Sequence, residues 1–188
     1  MYLSVRDIPN IICIARIILI VPIVLGLLAG NFGLALFLFV IAGISDGLDG
    51  FLARHYHWRS RLGSFLDPLA DKLLIVCVYI TFAWLDLMPV WFISAAIIRD
   101  VIIILGAIGF HHQYGPYHGE PLWSSKLNTV LQIALVIAIL ADQSLIPLPG
   151  NLINLLLIAT LLTILWSGVA YVYIWGRRAI QLSSKKIN

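Results

Sequence analysis

The chain has 188 residues, of which 61% are hydrophobic and 11% are charged, and its mean hydropathy is +1.00. A soluble domain of this size usually carries about twice that charged fraction, so the composition excludes an ordinary soluble protein. It predicts one integral membrane domain over residues 1–188. The net charge of +3 is too small to indicate a nucleic-acid partner.

Six apolar segments follow one another along the chain, and a membrane helix needs about 20 such residues. The second segment is short and reaches that length only if its helix continues through Asp46 to Ala53. The sequence therefore predicts an all-α fold of six transmembrane helices. The segments are Ile11–Ala29, Leu34–Ser45, Leu66–Leu85, Val90–Phe110, Leu127–Ile146 and Leu152–Ile174.

Among the connections between these segments, only alternate ones contain lysine or arginine. The turns after the first, third and fifth segments contain none, whereas the other connections and both ends of the chain do. Because basic residues favour the cytoplasmic side, both termini are predicted to be cytoplasmic. The basic residues that lie outside the six segments are Arg6, Arg54, Arg59, Arg61, Lys126, Arg177, Arg178, Lys185 and Lys186.

Four aspartates lie within 26 residues, around the end of the second segment and the start of the third. Residues three or four apart share a helix face, which pairs Asp46 with Asp49 and Asp67 with Asp71. Each ionised side chain at mid-bilayer costs roughly 2.5–3.5 kcal/mol, so such a cluster requires a function. Two adjacent helices would gather four carboxylates at the cytoplasmic face, a ligand set that suits divalent cations. A proton or cation relay in a transporter is the alternative from another class.

The same window contains the pattern D-x2-D-G-x2-A-R-x8-G-x3-D-x3-D, with eight defined residues at fixed spacing. In this pattern the chain resembles the CDP-alcohol phosphatidyltransferases, which are metal-dependent membrane enzymes of phospholipid synthesis. The resemblance implies transfer of a phosphatidyl group from CDP-diacylglycerol to an alcohol, with release of CMP. It also implies a homodimer.

The resemblance assigns roles to individual residues. Asp46, Asp49, Asp67 and Asp71 would bind two ions, Mg²⁺ or Mn²⁺, and Asp71 would also be the catalytic base. Small residues and one arginine would line the nucleotide pocket. Asn10 would contact the nucleotide or a metal-site aspartate, or it would cap the first helix. The pocket residues are Gly50, Ala53, Arg54 and Gly63.

Two basic residues are candidates for binding the acceptor alcohol. Arg99 lies in the middle of the fourth segment, and Lys126 lies at the start of the fifth. Arg99 could instead form an internal ion pair, either with Asp100 or with the acidic cluster. Lys126 could instead be an interfacial lysine whose ammonium reaches toward water.

Two branches of the family fit the acceptor side. Arg99-Asp100-Val101, the motif from Ser125 to Gln132, and Tyr173-x-x-Gly176-Arg177-Arg178 resemble cardiolipin synthases, whose acceptor is phosphatidylglycerol. Ala107 stands where phosphatidylglycerolphosphate synthases, whose acceptor is glycerol 3-phosphate, usually carry a second arginine. We therefore favour the cardiolipin synthase branch, with phosphatidylglycerolphosphate synthase as the alternative. A bacterial inner membrane is the expected location.

Overall fold

The computed structural model describes residues 8–55, 63–114 and 123–187, and this part of the chain contains helices and no strand. Six helices are observed in this part of the chain, one for each predicted segment, and the predicted continuation of the second helix through Asp46 is confirmed. That all six helices cross a membrane stays a prediction. They are α1 (Ile8–Leu28), α2 (Phe32–His55), α3 (Gly63–Trp84), α4 (Val90–Tyr114), α5 (Trp123–Ser144) and α6 (Gly150–Ile187).

Within the described residues, three helices are long and apolar enough to cross a membrane, judged by their length and composition. These stretches are Ile11–Leu28, Trp123–Ser144 and Gly150–Ile174. In α2 the corresponding stretch, Phe32–Leu48, is shorter. Ionisable side chains interrupt the apolar runs of α3 and α4. The three apolar stretches agree with the membrane class that the composition predicts.

The chain forms two compact units. The first contains residues 1–88 and 136–149, and in it α1 packs against both α2 and α3. The second contains residues 89–135 and 150–188, and in it α4 packs against α6. The four aspartates belong to the first unit, and Arg99 belongs to the second.

A tight turn joins α1 to α2. Gly30 has a φ of 72°, its amide donates to the Leu27 carbonyl, and the Asn31 amide donates to the Gly26 carbonyl at 2.8 Å. This is a Schellman motif, which requires a residue in the left-handed helical conformation and therefore favours glycine. The Asn31 side chain then accepts a hydrogen bond from the Leu34 amide and caps α2. The two helices therefore run antiparallel as direct neighbours.

Gly30→Ala should lower the free energy of unfolding by about 1–2 kcal/mol, because only the backbone conformation opposes the new methyl group. A Cβ atom at Gly30 would meet nothing within 4 Å. Gly43→Ala is the matched control, because Gly43 also has open space but lies inside α2 with no positive φ. That change should raise the stability by about 0.5–1 kcal/mol. Equal effects in detergent-solubilised unfolding would contradict the assignment of the turn.

Candidate active site

One face of α1 is buried against its neighbours, and an arginine stands in the middle of that face. The buried side chains recur at intervals of three and four residues, as expected for a helix stripe. They are Cys13, Arg16, Ile20, Ile23 and Leu27. The opposite face of α1 is exposed and entirely apolar, with Ile11, Ile14, Ile18, Val21 and Leu25.

Arg16 joins two of the predicted site aspartates. Its Nη1 donates to Asp46 Oδ1 at 2.7 Å and to Asp71 Oδ1 at 2.5 Å. Arg16 is 0% exposed, whereas the side chains of Asp46 and Asp71 are 43% and 39% exposed. The carboxylates therefore have a buried cation on one side and retain an accessible surface.

The turn at Gly30 explains why Arg16 faces Asp46. Arg16 precedes Gly30 by 14 residues and Asp46 follows it by 16. At 1.5 Å per residue these positions are about 21 Å and about 24 Å from the turn, so they are level on antiparallel helices. Asp71 joins them from α3, on which the neighbouring Ala70 is buried within the same unit.

The two carboxylates provide part of a site that fits a divalent cation. They come from different helices and yet lie within hydrogen-bonding distance of one nitrogen atom. Carboxylate oxygens are the ligands that Mg²⁺ and Mn²⁺ prefer. Where the side chains are described, no group of three or more histidine, cysteine, aspartate or glutamate residues could hold a metal ion. The four-carboxylate site therefore stays a prediction.

The remaining predicted residues of this region lie in helices, but their side chains are outside the described part of the structure. Asp49 follows Asp46 by three residues in α2, and Asp67 precedes Asp71 by four in α3. Their spacing is therefore helical, as predicted. The backbones of the nucleotide-pocket candidates Asn10, Gly50, Ala53, Arg54 and Gly63 belong to α1, α2 and α3.

In the second unit Arg99 is buried and bound to three side chains. Its Nη1 donates to Asp100 Oδ1 at 2.6 Å, and its Nη2 donates to the hydroxyls of Ser125, at 2.8 Å, and Ser167. A Cβ atom on Gly168 would lie 3.7 Å from Arg99 Cγ, an ordinary van der Waals distance, so this part of α6 lies against the arginine stem. The ion pair that the sequence offered as an alternative for Arg99 is present, together with two hydroxyl contacts.

Lys126 has a different environment. Its side chain is exposed, and its ammonium lies 5.7 Å from the centre of the Trp123 ring. Such a contact is a cation–π interaction of an exposed residue. Ser125, which bonds Arg99, directly precedes it in α5. Lys126 therefore follows a residue that contacts Arg99, but its own ammonium lies over the Trp123 ring.

Sequence reasoning missed two features of this chain. The first is Arg16, which interrupts an apolar segment at a position that the three-and-four spacing assigns to the buried face. The second is a set of polar residues on one face of α5 and of α6, at the same spacing, all of them buried except the half-buried Ser125. Thr163 Oγ1 donates to Asn128 Oδ1 at 3.1 Å, while neither amide atom of Gln132 has a partner among the described residues. The set is Ser125, Asn128, Gln132, Thr160, Thr163 and Ser167.

Comparisons with known proteins give a family. A family model described as CDP-alcohol phosphatidyltransferase matches residues 6–173. The chain is 35% identical over 195 residues to a cardiolipin synthase (CMP-forming) of Rattus norvegicus and 34% identical over 198 residues to that of Homo sapiens. These matches cover 95% and 97% of the chain but 64% and 65% of the relatives, so the chain spans less than two thirds of their length.

Another relative carries a different name. The chain is 34% identical over 180 residues to a CDP-diacylglycerol–glycerol-3-phosphate 3-phosphatidyltransferase of Blochmanniella floridana. That match covers 92% of the chain and 92% of the relative.

Ser167→Ala should lower the free energy of unfolding by about 1–2 kcal/mol, because it removes a buried acceptor from the Arg99 guanidinium. Ser94→Ala is the matched control, since the exposed Ser94 hydroxyl contacts the Val90 carbonyl of its own helix at 2.9 Å. The control should change the stability by less than about 0.5 kcal/mol. Chemical unfolding in detergent micelles measures both, and equal losses would contradict the role of Ser167.

Proposed function

The chain belongs to the CDP-alcohol phosphatidyltransferase family, and from this premise we propose that it is a cardiolipin synthase. It would transfer the phosphatidyl group of CDP-diacylglycerol to phosphatidylglycerol and release CMP. The observation that carries this proposal is the meeting of Asp46 and Asp71 at Arg16, because both aspartates belong to the eight-residue motif of the family. The rat and human relatives support the choice of acceptor.

Divalent metal ions are generally used by this family, and we propose that Asp46, Asp49, Asp67 and Asp71 hold two ions, Mg²⁺ or Mn²⁺. When bound, such ions neutralise the pyrophosphate and stabilise the departing phosphate. The accessible surfaces of Asp46 and Asp71 support this assignment.

The protein's own residues perform the proton transfer and the positioning. An acceptor hydroxyl oxygen forms a bond to the phosphorus that carries the diacylglycerol, and the bond from that phosphorus to the oxygen of CMP breaks. Asp71 takes the hydroxyl proton, and CMP leaves with the bonding electron pair. Asn10, Gly50, Ala53, Arg54 and Gly63 bind the CDP moiety in this proposal, with Arg54 facing phosphate oxygens.

Arg99 and Lys126 bind the acceptor in this proposal. A phosphodiester head group carries one negative charge, which matches a single buried guanidinium already held by Asp100, Ser125 and Ser167. Ala107 offers no second cation on α4. These features favour phosphatidylglycerol over the more highly charged glycerol 3-phosphate.

Phosphatidylglycerolphosphate synthase is the second candidate function. The observation that favours it is the Blochmanniella floridana relative, because the match covers 92% of both chains and the relative's name specifies glycerol 3-phosphate. The two candidates share the acidic site and differ only in the acceptor that reaches it.

We further propose a single membrane domain over residues 1–188, with six spans, both termini in the cytoplasm and the acidic site at the cytoplasmic face. The alternation of basic residues among the connections supports this orientation. A bacterial inner membrane is the proposed location, and the bacterial relative supports it. A homodimer is proposed from the family resemblance.

The decisive experiment is CMP release by the purified protein with CDP-diacylglycerol and Mg²⁺. Phosphatidylglycerol and glycerol 3-phosphate are supplied in separate reactions. Cardiolipin formed with phosphatidylglycerol alone supports the first candidate, and phosphatidylglycerolphosphate formed with glycerol 3-phosphate alone supports the second. Metal binding without CMP release from either acceptor would overturn both and favour a transporter.

Asp71→Asn should reduce the rate of CMP release by at least about 100-fold, because it removes the proposed base and leaves a neutral side chain of the same shape. CDP binding, measured by equilibrium dialysis, should persist. Asp86→Asn is the control, since Asp86 is exposed in a turn with a φ of 56° that asparagine also tolerates. Substantial turnover by Asp71→Asn would remove Asp71 as the base.

Arg99→Ala should raise the KM for the acceptor more than it lowers kcat, because it removes the cation proposed to bind the head group. Ser94→Ala, at an exposed position in the same helix, should leave both constants unchanged. Steady-state kinetics at saturating CDP-diacylglycerol separates the two effects. An Arg99→Ala protein that loses its fold, or keeps an unchanged acceptor KM when folded, would favour the purely structural ion pair.

A further inference from the structure

We propose that Arg16 is a positioning residue for the metal-binding carboxylates. Its guanidinium takes one oxygen of Asp46 and one oxygen of Asp71, so that the second oxygen of each carboxylate faces the divalent cations. This inference rests on the proposed function, because it assigns Arg16 to the same acidic site.

Burying the charge of Arg16 in an apolar helix costs free energy, so its position calls for a functional explanation. Arg16 replaces an apolar residue in the buried stripe of α1, between Cys13 and Ile20. An ionised residue costs roughly 2.5–3.5 kcal/mol at the centre of a membrane helix, and Arg16, although nearer one end, is fully buried and does not reach water. A leucine or isoleucine would fill the stripe without that cost, so packing alone does not explain an arginine here.

The contacts of Arg16 tie three helices together at one atom. Nη1 belongs to α1, while its two acceptors belong to α2 and α3. The neighbouring side chains of the stripe are buried, so packing restricts the stem of Arg16 and the direction of its guanidinium. A guanidinium held in this way fixes the rotation of each carboxylate that it binds.

The exposure of the three side chains shows from which side a cation can reach the carboxylates. Arg16 is 0% exposed, and the carboxylates are 43% and 39% exposed. The arginine therefore lies behind the carboxylates, and an approaching cation meets their accessible side. With one oxygen of each carboxylate bound to Arg16, the second oxygen would remain to bind that cation and, on Asp71, to accept the hydroxyl proton.

Charge balance gives Arg16 a second effect. Two carboxylates from adjacent helices repel each other, and this repulsion opposes the packing of α2 and α3 around α1. Arg16, Asp46 and Asp71 together carry one net negative charge, whereas the two aspartates alone would carry two. The pair is thus held close before a cation binds, which preorganises the site. Removing groups that orient metal ligands typically lowers metal affinity by about 10- to 100-fold.

The test is Mn²⁺ binding by the purified full chain in detergent, measured as the free-ion signal in electron paramagnetic resonance. Arg16→Gln should weaken Mn²⁺ binding by about 10- to 100-fold. Arg16→Lys keeps the charge but not the guanidinium geometry, and it should give an intermediate affinity. Arg99→Gln is the matched control, because it removes another buried arginine whose described partners are Asp100, Ser125 and Ser167. The control should bind Mn²⁺ with the wild-type affinity.

Activity provides a second readout. CMP release by Arg16→Gln should recover as Mn²⁺ is raised, because the weakened site fills by mass action. A wild-type Mn²⁺ affinity in a folded Arg16→Gln protein would overturn the inference and leave the proposed metal-dependent function intact. If the wild-type protein itself binds no Mn²⁺, the proposed metal site fails and the inference fails with it.

Folding is checked by circular dichroism and by a monodisperse elution profile. If Arg16→Gln does not fold, Arg16→Lys decides the question. A weaker Mn²⁺ affinity in a folded Arg16→Lys protein supports the inference, and an affinity equal to that of the wild type overturns it.

Discussion

A charge placed in an apolar helix must be paired, and the candidate active site depends on this constraint. Arg16 stands in the buried stripe of α1, and its requirement for partners brings together Asp46 from α2 and Asp71 from α3. The tight turn at Gly30 makes α1 and α2 antiparallel and places the first pair at the same level. The packing of the first unit and the geometry of its acidic residues thus have the same physical cause.

The second unit satisfies the same constraint in a different way. Arg99 is paired with the next residue in the chain and with two hydroxyl groups. Its only described carboxylate partner is Asp100, so part of its hydrogen-bonding capacity goes to neutral groups that attract it less strongly than a second carboxylate would. An anionic head group could compete for such a cation. Arg16 contacts two carboxylates, which offset its positive charge more fully than the single described carboxylate beside Arg99 does, and this supports a positioning role for Arg16 and a binding role for Arg99.

Much of the helical architecture could be predicted because apolar length is a direct signal in a membrane protein. The continuation of α2 through Asp46 followed from the length that a span requires, and the spacing of the aspartates gave their shared helix faces. Helix ends were less predictable. α6 continues to Ile187, well beyond the apolar run that ends at Ile174, because polar residues with good helix propensity extend it.

The partners of the buried charges could not be predicted from periodicity. Spacing reveals which residues share a face, but it does not reveal which face of another helix they meet. Arg16 has the spacing of the buried stripe, and this signal could have identified it as an inward-facing cation. The polar residues of α5 and α6 have a similar spacing, yet the contact between Asn128 and Thr163 depends on the packing of two helices. The buried side-chain amide of Gln132 has no hydrogen-bond partner among the described residues, so those residues do not explain why a polar side chain stands there.

The central claim is that Arg16, Asp46 and Asp71 act as one unit, and a mutant cycle tests it most directly. The free energy of unfolding would be measured for Arg16→Met, for the double variant Asp46→Asn and Asp71→Asn, and for all three changes together. We expect the combined variant to lose less stability than the sum of the other two, with a coupling energy of roughly 0.5–3 kcal/mol. Additive losses would show that the arginine and the aspartates act independently and would contradict the account.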